Sequence, residues 1–186
     1  GGRTLCKKVG LNPKRTGILI AFDRLGVKYS VLNRRVSGGE ETGDILVEKS
    51  PMQGIVLTAE DVPSMIDELP LVALLCAYAD GESRISGAGE LRVKESDRIR
   101  TVCELIAALG GICIETEDGF IIRGKKSLPG GDVDSYLDHR IAMTAAVGLT
   151  ASEKGGNIRG AGCCAISFPG FFRMLEGAEK GAGEGA

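Results

Sequence analysis

Three short stretches gather charged side chains where they could do chemistry: "IDELP" (66–70), "ELRVKESDRIR" (90–100) and "SYLDHRIAMTAAVGL" (135–149). Each places its charges at the entrance to a run of helix-forming residues. A helix start exposes N–H groups without intrahelical partners and carries a partial positive charge, so it favours acidic side chains and anions. Asp67 fits that field as an N-cap, a role that contributes about 1 kcal/mol. Ser96 or Asp97 can cap the helix after the second stretch. Arg98 and Arg140 run against the field. A guanidinium at a helix start is unfavourable unless something negative comes to it. With the free N–H groups it would make a strong anion site, because its planar fork grips a carboxylate or phosphate with two parallel bonds. Lys94 stands one turn before Arg98, with Glu95 between them. The competing reading of this run is a solvated charge cluster. His139, the chain's one histidine, lies between Asp138 and Arg140; it could donate a hydrogen bond, shuttle a proton, or serve structure alone.

The elements that must position these residues can be read from apolar spacing and turn signals. "RTGILIAFDRLG" (15–26) predicts a helix stopped by Gly26, with Asn12-Pro13 suited to its start. "VKYSVLNRR" alternates as a strand, "VSGGEETGD" reads as a loop, and "DILVEK" and "GIVLTA" read as short strands. A buried helix follows over "MIDELPLVALLCAYADG", ending at Gly81. "SRISGAG" and "LRV" read as strands, "ESDRIRTVCELIAALGG" as an amphipathic helix, and "ICIETEDGFIIRG" as a hairpin turning at Asp118-Gly119. "DVDSYLDHRIAMTAAVGLTA" repeats the loop-to-helix pattern, "GNIRGAG" is a strand, and "PGFFRMLEG" a closing helix. The order contains an internal repeat: a shift of 73 residues lays "ISGAG" (85–89) on "IRGAG" (158–162), each after an alanine-rich helix with a charged entrance. One unit would be a strand, helix, strand, helix and two strands, and units packed about a pseudo-symmetry axis would bring their helix starts to a common face.

Composition narrows the class. With 43% hydrophobic and 26% charged residues the chain reads as a soluble globular protein, and a net charge of −2 gives no case for nucleic acid or a membrane surface as partner. No apolar run reaches the roughly 18–20 residues a bilayer span needs, and "GGRTLCKK" has no signal-peptide core. The six cysteines form no Cys-x-x-Cys pair, so with a single histidine a zinc site is not expected; free thiols in a reducing cytoplasm are. Neither a phosphate-binding Gly-x-x-x-x-Gly-Lys-Ser/Thr loop, nor a Gly-x-Gly-x-x-Gly after a strand, nor a Gly-x-Ser-x-Gly elbow occurs.

In order from about residue 9 to 175, "LNPKRTGIL", "SGGEETGDI", "IDELPLVALLCAYADGESRI", "ELRVKESDRI", "DHRIAM" and "ISFPGFF" together resemble the 5-enolpyruvylshikimate-3-phosphate synthases, also called 3-phosphoshikimate 1-carboxyvinyltransferases. The resemblance implies an α/β fold of repeated βαβαββ units with pseudo-threefold symmetry, an inside-out α/β barrel forming a single domain of a two-domain enzyme. It also implies the reaction: enolpyruvyl passes from phosphoenolpyruvate to the 5-hydroxyl of shikimate 3-phosphate and phosphate is released, by addition and elimination through a tetrahedral intermediate, with no cofactor and no metal, in cytoplasmic aromatic amino-acid biosynthesis. Asp67 is similar to the residue accepting the hydroxyl proton, and Glu95 to the carboxylate moving a proton to and from the phosphoenolpyruvate methylene. Two carboxylates beside basic groups can hold different protonation states, as acid–base work requires. Lys94 resembles the contact to shikimate 3-phosphate, Arg98 and Arg140 the clamp on phosphoenolpyruvate, and His139 a histidine of the same site. Ile166 stands where some members have lysine. Family members are more than twice this length, so residues 3–180 are expected to be one domain carrying half of the active site. Its partner would be the amino-terminal half of the enzyme, with 181–186 as a flexible tail. Two other readings keep the fold: the transferase acting on UDP-N-acetylglucosamine, and a non-catalytic anion-binding module.

Overall fold

Short elements joined by tight glycine turns make up the chain, as 28 glycines and few aromatic residues would dictate. The computed structural model describes residues 2–183. The strands are β1 (Arg3–Gly10), β2 (Lys28–Ser37), β3 (Glu40–Glu48), β4 (Val56–Leu57), β5 (Glu82–Ile85), β6 (Ile112–Thr116), β7 (Gly119–Arg123), β8 (Val133–Asp134) and β9 (Ile158–Arg159). The helices are α1 (Gly17–Leu25), α2 (Leu69–Tyr78), α3 (Arg98–Ala108), α4 (His139–Ala151), α5 (Cys164–Ser167) and α6 (Phe171–Gly183).

The expected repeat is visible in the strand pairing. β4, α2, β5, α3, β6 and β7 form one whole βαβαββ unit, with sheet order β4-β5-β7-β6. β4 lies parallel to β5, and the β6–β7 hairpin joins antiparallel. On one side of this unit the sheet β1-β3-β2 repeats the order β5-β7-β6. On the other, β8 and β9 repeat the parallel pair β4–β5 around α4. The 73-residue shift also lays Tyr78, the last residue of α2, on Ala151, the last of α4.

Helices α2, α3 and α4 pack against one another with the sheets outside them. α2 is apolar all round and buries seven of its ten residues, which a helix can do only at the centre of a fold. Leu69, Val72 and Leu74 of α2 meet Ile99, Val102 and Ile106 of α3, Ile141, Ala145 and Leu149 of α4, and Ile85, Phe120 and Ile122 of the sheet in one cluster. Gly148 permits the tight α2–α4 contact, because a Cβ there would stand 2.7 Å from Leu109 and 3.1 Å from Leu74.

Several local expectations need correction. β1 was not legible in the sequence. The stretch 36–44 is a hairpin rather than a loop: Ser37 pairs with Glu40 around Gly38-Gly39, both at positive φ (63° and 84°), the backbone that a two-residue hairpin turn needs. The second hairpin turns one residue early, at Glu117-Asp118. "LRV" belongs to a 3-10 turn over Gly89–Val93. The turn at Asn12, closed by the Arg15 N–H on the Asn12 carbonyl at 2.9 Å, delays α1 to Gly17. At the carboxyl end α6 runs to Gly183, so residues 181–183 of the expected tail are helical and 184–186 lie outside the described residues.

Candidate functional site

Helices α3 and α4 both open on capping aspartates, and the site is built on those caps. Asp97 accepts the Arg100 N–H at 3.2 Å, and Asp138 accepts the Arg140 N–H at 2.9 Å, as short acidic residues do at helix starts. Asp138 does much more than cap. It is fully buried, and its Oδ2 accepts from Arg98 Nε at 2.8 Å and from Ser96 Oγ at 2.9 Å. A longer contact joins its Oδ1 to Arg98 Nη2 at 3.3 Å. Burial pushes the Asp138 carboxyl up; the hydrogen bond and charge of Arg98, with the Arg140 N–H and the Ser96 hydroxyl, outweigh it and hold the group below the usual carboxylate range.

This arrangement corrects the electrostatic expectation for Arg98. Its guanidinium is only 1% exposed, and the anion that makes it tolerable at a helix start belongs to the chain itself. A buried ion pair is held only where its hydrogen bonds are good, and here two elements supply them. Nη2 also reaches Glu95 Oε2 at 2.5 Å. Nη1 is left with a loose contact to Asp67 Oδ1 at 3.6 Å.

Asp67 is not an N-cap. α2 begins after Glu68 without a side-chain cap, its first turn holding Pro70. The Asp67 carboxylate instead turns between two arginines, with Oδ2 lying 3.2 Å from Arg140 Nη2. The Asp67 carbonyl accepts from Arg140 Nη1 at 2.9 Å. The 73-residue separation of Asp67 and Arg140 equals the repeat shift. Positions equivalent in two repeats can touch only near the axis relating those repeats, which is where the helix starts were expected to converge.

The structure thus brings Asp67, Glu95, Arg98 and Arg140 together. His139, the first residue of α4, adjoins them and is partly buried. Lys94 directly precedes Glu95, but its ammonium is turned to Glu90 Oε1 at 2.5 Å. Ile166 is 83% exposed at the end of α5, where a longer cationic side chain would fit without repacking.

Two supporting residues escaped the sequence reading. Asp138 was visible only as a neighbour of His139, and its position ahead of a helix start was the available signal. Arg92 carried none. Its guanidinium donates to the Glu117 and Thr116 carbonyls at 2.8 and 2.6 Å and to Asp97 and Glu115 at 2.9 and 2.8 Å, clasping the turn before Lys94 to the β6–β7 hairpin.

Chemically, the cluster offers two solvent-reachable carboxylates beside donors that suit a planar anion. Among the described residues, no group of three or more His, Cys, Asp or Glu side chains could hold a metal ion. No helix among them is long and apolar enough to cross a membrane.

Comparison with known proteins bears directly on this geometry. A family model described as EPSP synthase (3-phosphoshikimate 1-carboxyvinyltransferase) matches residues 1–175. The 3-phosphoshikimate 1-carboxyvinyltransferase of Desulforudis audaxviator is 47% identical over 169 residues, which are 91% of this chain and 39% of that protein. The protein of the same name from a Sulfurihydrogenibium species is 45% identical over 180 residues, 97% of this chain and 42% of that one. The solved EPSP synthase of Acinetobacter baumannii superposes with a TM-score of 0.91 at 36% identity, over 96% of this chain and 42% of its own. The enolpyruvyl transferase NikO of Streptomyces tendae shares the fold, with a TM-score of 0.61 at 23% identity over 88% of this chain and 35% of its own. The chain spans about two fifths of the length of the curated relatives it matches.

Proposed function

The chain belongs to the EPSP synthase (3-phosphoshikimate 1-carboxyvinyltransferase) family, and on that premise we propose that it supplies one face of an enolpyruvyl transferase site. Joined to the rest of the longer enzyme, it moves the enolpyruvyl group of phosphoenolpyruvate to the 5-hydroxyl of shikimate 3-phosphate and releases phosphate. The observation that carries the reading is Asp67, turned away from its helix end and held between Arg98 and Arg140.

In this reading Asp67 takes the proton of the 5-hydroxyl as that oxygen attacks C2 of phosphoenolpyruvate, and Glu95 delivers a proton to the methylene carbon. The tetrahedral intermediate then collapses: the C–O bond to phosphate breaks, and Glu95 recovers a proton from the new methyl group. Arg98 Nη1 and the Arg140 fork bind phosphoenolpyruvate, Lys94 leaves Glu90 for shikimate 3-phosphate, and His139 lines the same pocket. The free thiols suit a reducing cytoplasm.

The remainder of the enzyme has a physical task here. Orienting two substrates and expelling water both need a second wall over these charges. Val93, directly before Lys94, and Leu137, directly before Asp138, are 81% and 75% exposed. Large apolar side chains at the rim of a polar site favour such a cover. The chain by itself is therefore expected to be inactive.

The test joins this chain to the remainder of the enzyme and measures phosphate release. Asp67→Asn should lower turnover about a hundredfold or more while calorimetry still detects shikimate 3-phosphate binding. Full turnover by Asp67→Asn, or acceptance of UDP-N-acetylglucosamine in place of shikimate 3-phosphate, would overturn the assignment.

A further inference from the structure

Away from the site, two sulfur atoms approach each other closely. Cys103 is buried in the middle of α3 and Cys113 is half-buried on β6, and their Sγ atoms are 2.8 Å apart. That is inside ordinary non-bonded sulfur contact and less than an ångström beyond the roughly 2.05 Å bond of a disulfide. The approach is set by the backbone. The Gly110 and Gly111 N–H groups close onto the Ala107 and Ile106 carbonyls at 2.9 and 2.8 Å, folding β6 back beneath α3. Gly111 is required there, since a Cβ would meet Ile106 Cγ2 at 2.6 Å.

We propose that Cys103 and Cys113 are an oxidisable dithiol that closes into a disulfide by exchange with a low-molecular-weight disulfide, stapling α3 to β6. The proposal is independent of the substrate assigned above.

Cys113 is the entry point because it is the more accessible of the two. Its sulfur, after losing its proton, attacks the small disulfide and expels one thiolate, giving a mixed disulfide. The Cys103 sulfur then attacks Cys113 Sγ and expels the second thiolate. The two cysteine protons end on the two released thiols, and the two electrons reduce the small disulfide. The hydrogen bond to Cys103 and then burial push the Cys113 thiol up, so the entry thiol is protonated at neutral pH and exchanges slowly unless an oxidant is plentiful. Cys76, buried nearby on α2 and pushed up to about 11 by burial, is the competing partner.

The staple would join the two supports of one corner of the site. α3 opens on Arg98, and the far end of β6 holds Arg92 through Glu115 and the Thr116 carbonyl, two residues before Lys94.

To test this, the chain is incubated with oxidised glutathione, its remaining thiols are alkylated, and its peptides are mapped by mass spectrometry. A Cys103–Cys113 linkage two hydrogens lighter than the reduced pair is expected. A melting temperature roughly 5–10 °C above that of the reduced chain should accompany it. Cys103→Ala should stop at a glutathione adduct on Cys113, with no such rise. Should that variant fail to fold, the wild-type map decides alone. A stable adduct on wild-type Cys113, a bond to Cys76, both thiols free once exposed Cys6 is fully modified, or a mapped bond with unchanged melting would each overturn the staple.

Discussion

Asp138 and Asp67 are both carboxylates facing arginines, yet burial gives them opposite consequences. Asp138 has no exposed surface and satisfies Arg98 Nε, the Ser96 hydroxyl and the Arg140 N–H at once. Removing its charge breaks the one fully buried ion pair of Arg98 and leaves it the half-exposed Glu95 and a loose Asp67 contact; breaking such a buried pair costs about 3–5 kcal/mol. Asp138→Asn should therefore lower unfolding stability in urea by about 3 kcal/mol, near the bottom of that range because the amide keeps one acceptor oxygen. The Asp67 carboxylate is a third exposed, where the surrounding water keeps an ion pair to about 1 kcal/mol or less, so Asp67→Asn should barely alter the same melt. Acid separates the two further. The folded Asp138 value lies below its ordinary 3.8, so its stabilisation is complete above that unfolded value and drains as pH falls through the folded one. Urea melts between pH 6 and 3 should show a shallower acid loss in Asp138→Asn than in the wild type. Equal slopes would mean that Asp138 is not the group protonated on acid unfolding.

Among the elements, the sheet β1-β3-β2 shows how one buried acid can organise two strands. Lys8 and Asn33 both adopt positive φ, 57° and 49°, at register breaks in β1 and β2. These are bulges on either side of the central strand. Asp44 of β3 accepts the Lys8 N–H and the Asn33 amide, each at 2.8 Å. The Asn33 hydrogen bond and then the Lys8 N–H hold its carboxyl below the ordinary range. Asp44→Ala should lower the melting temperature and release the Lys8 amide to hydrogen exchange ahead of its neighbours; unchanged protection there would refute the bulge assignment. The same sheet explains the limits of reading elements from sequence. β1 is "RTLCKKVG", exposed to solvent at almost every position, so no alternation was imposed on it. The "SGGE" turn carried a usable signal, two glycines between paired strands, but the residues next to it, Asn33 to Arg35 and Glu40 to Thr42, are polar. α1 through α4 were legible because each buries a periodic or continuous apolar face. The candidate site was legible as charged helix entrances, since the chemistry of Arg98, Arg140 and Glu95 is local. Which acid each arginine would choose was not, because Asp67 and Asp138 come to Arg98 across 31 and 40 residues of chain, a matter of packing about the repeat axis.

For the molecule as a whole, the distribution of the core decides where it opens first. The main apolar cluster draws on α1, α2, α3 and α4 and on the sheet β4-β5-β7-β6, and among the described residues β1, β2 and β3 contribute no buried one to it. Their sheet keeps Leu5, Leu32 and Val36 exposed. Its inner attachment is small, with Ile45 and Leu11 buried and a few contacts between α1 and β2. Local opening costs least where few apolar contacts are lost. The site, in contrast, stands on α2, α3 and α4, which supply the main core and whose starts are tied together by Asp138 and Asp67. Native-state hydrogen exchange should then divide the chain, with amides of β1–β3 exchanging at least about tenfold faster than those of β5–β7 although both are hydrogen-bonded in sheets of the same order. Joining the chain to the remainder of the enzyme should slow exchange in segments 91–98 and 136–140 if that part covers the charged helix starts, because their rims carry exposed Val93 and Leu137. Uniform exchange across both sheets would show that the peripheral sheet is as firmly held as the repeat that carries the site. Unchanged exchange at 91–98 and 136–140 after joining would place the second wall elsewhere.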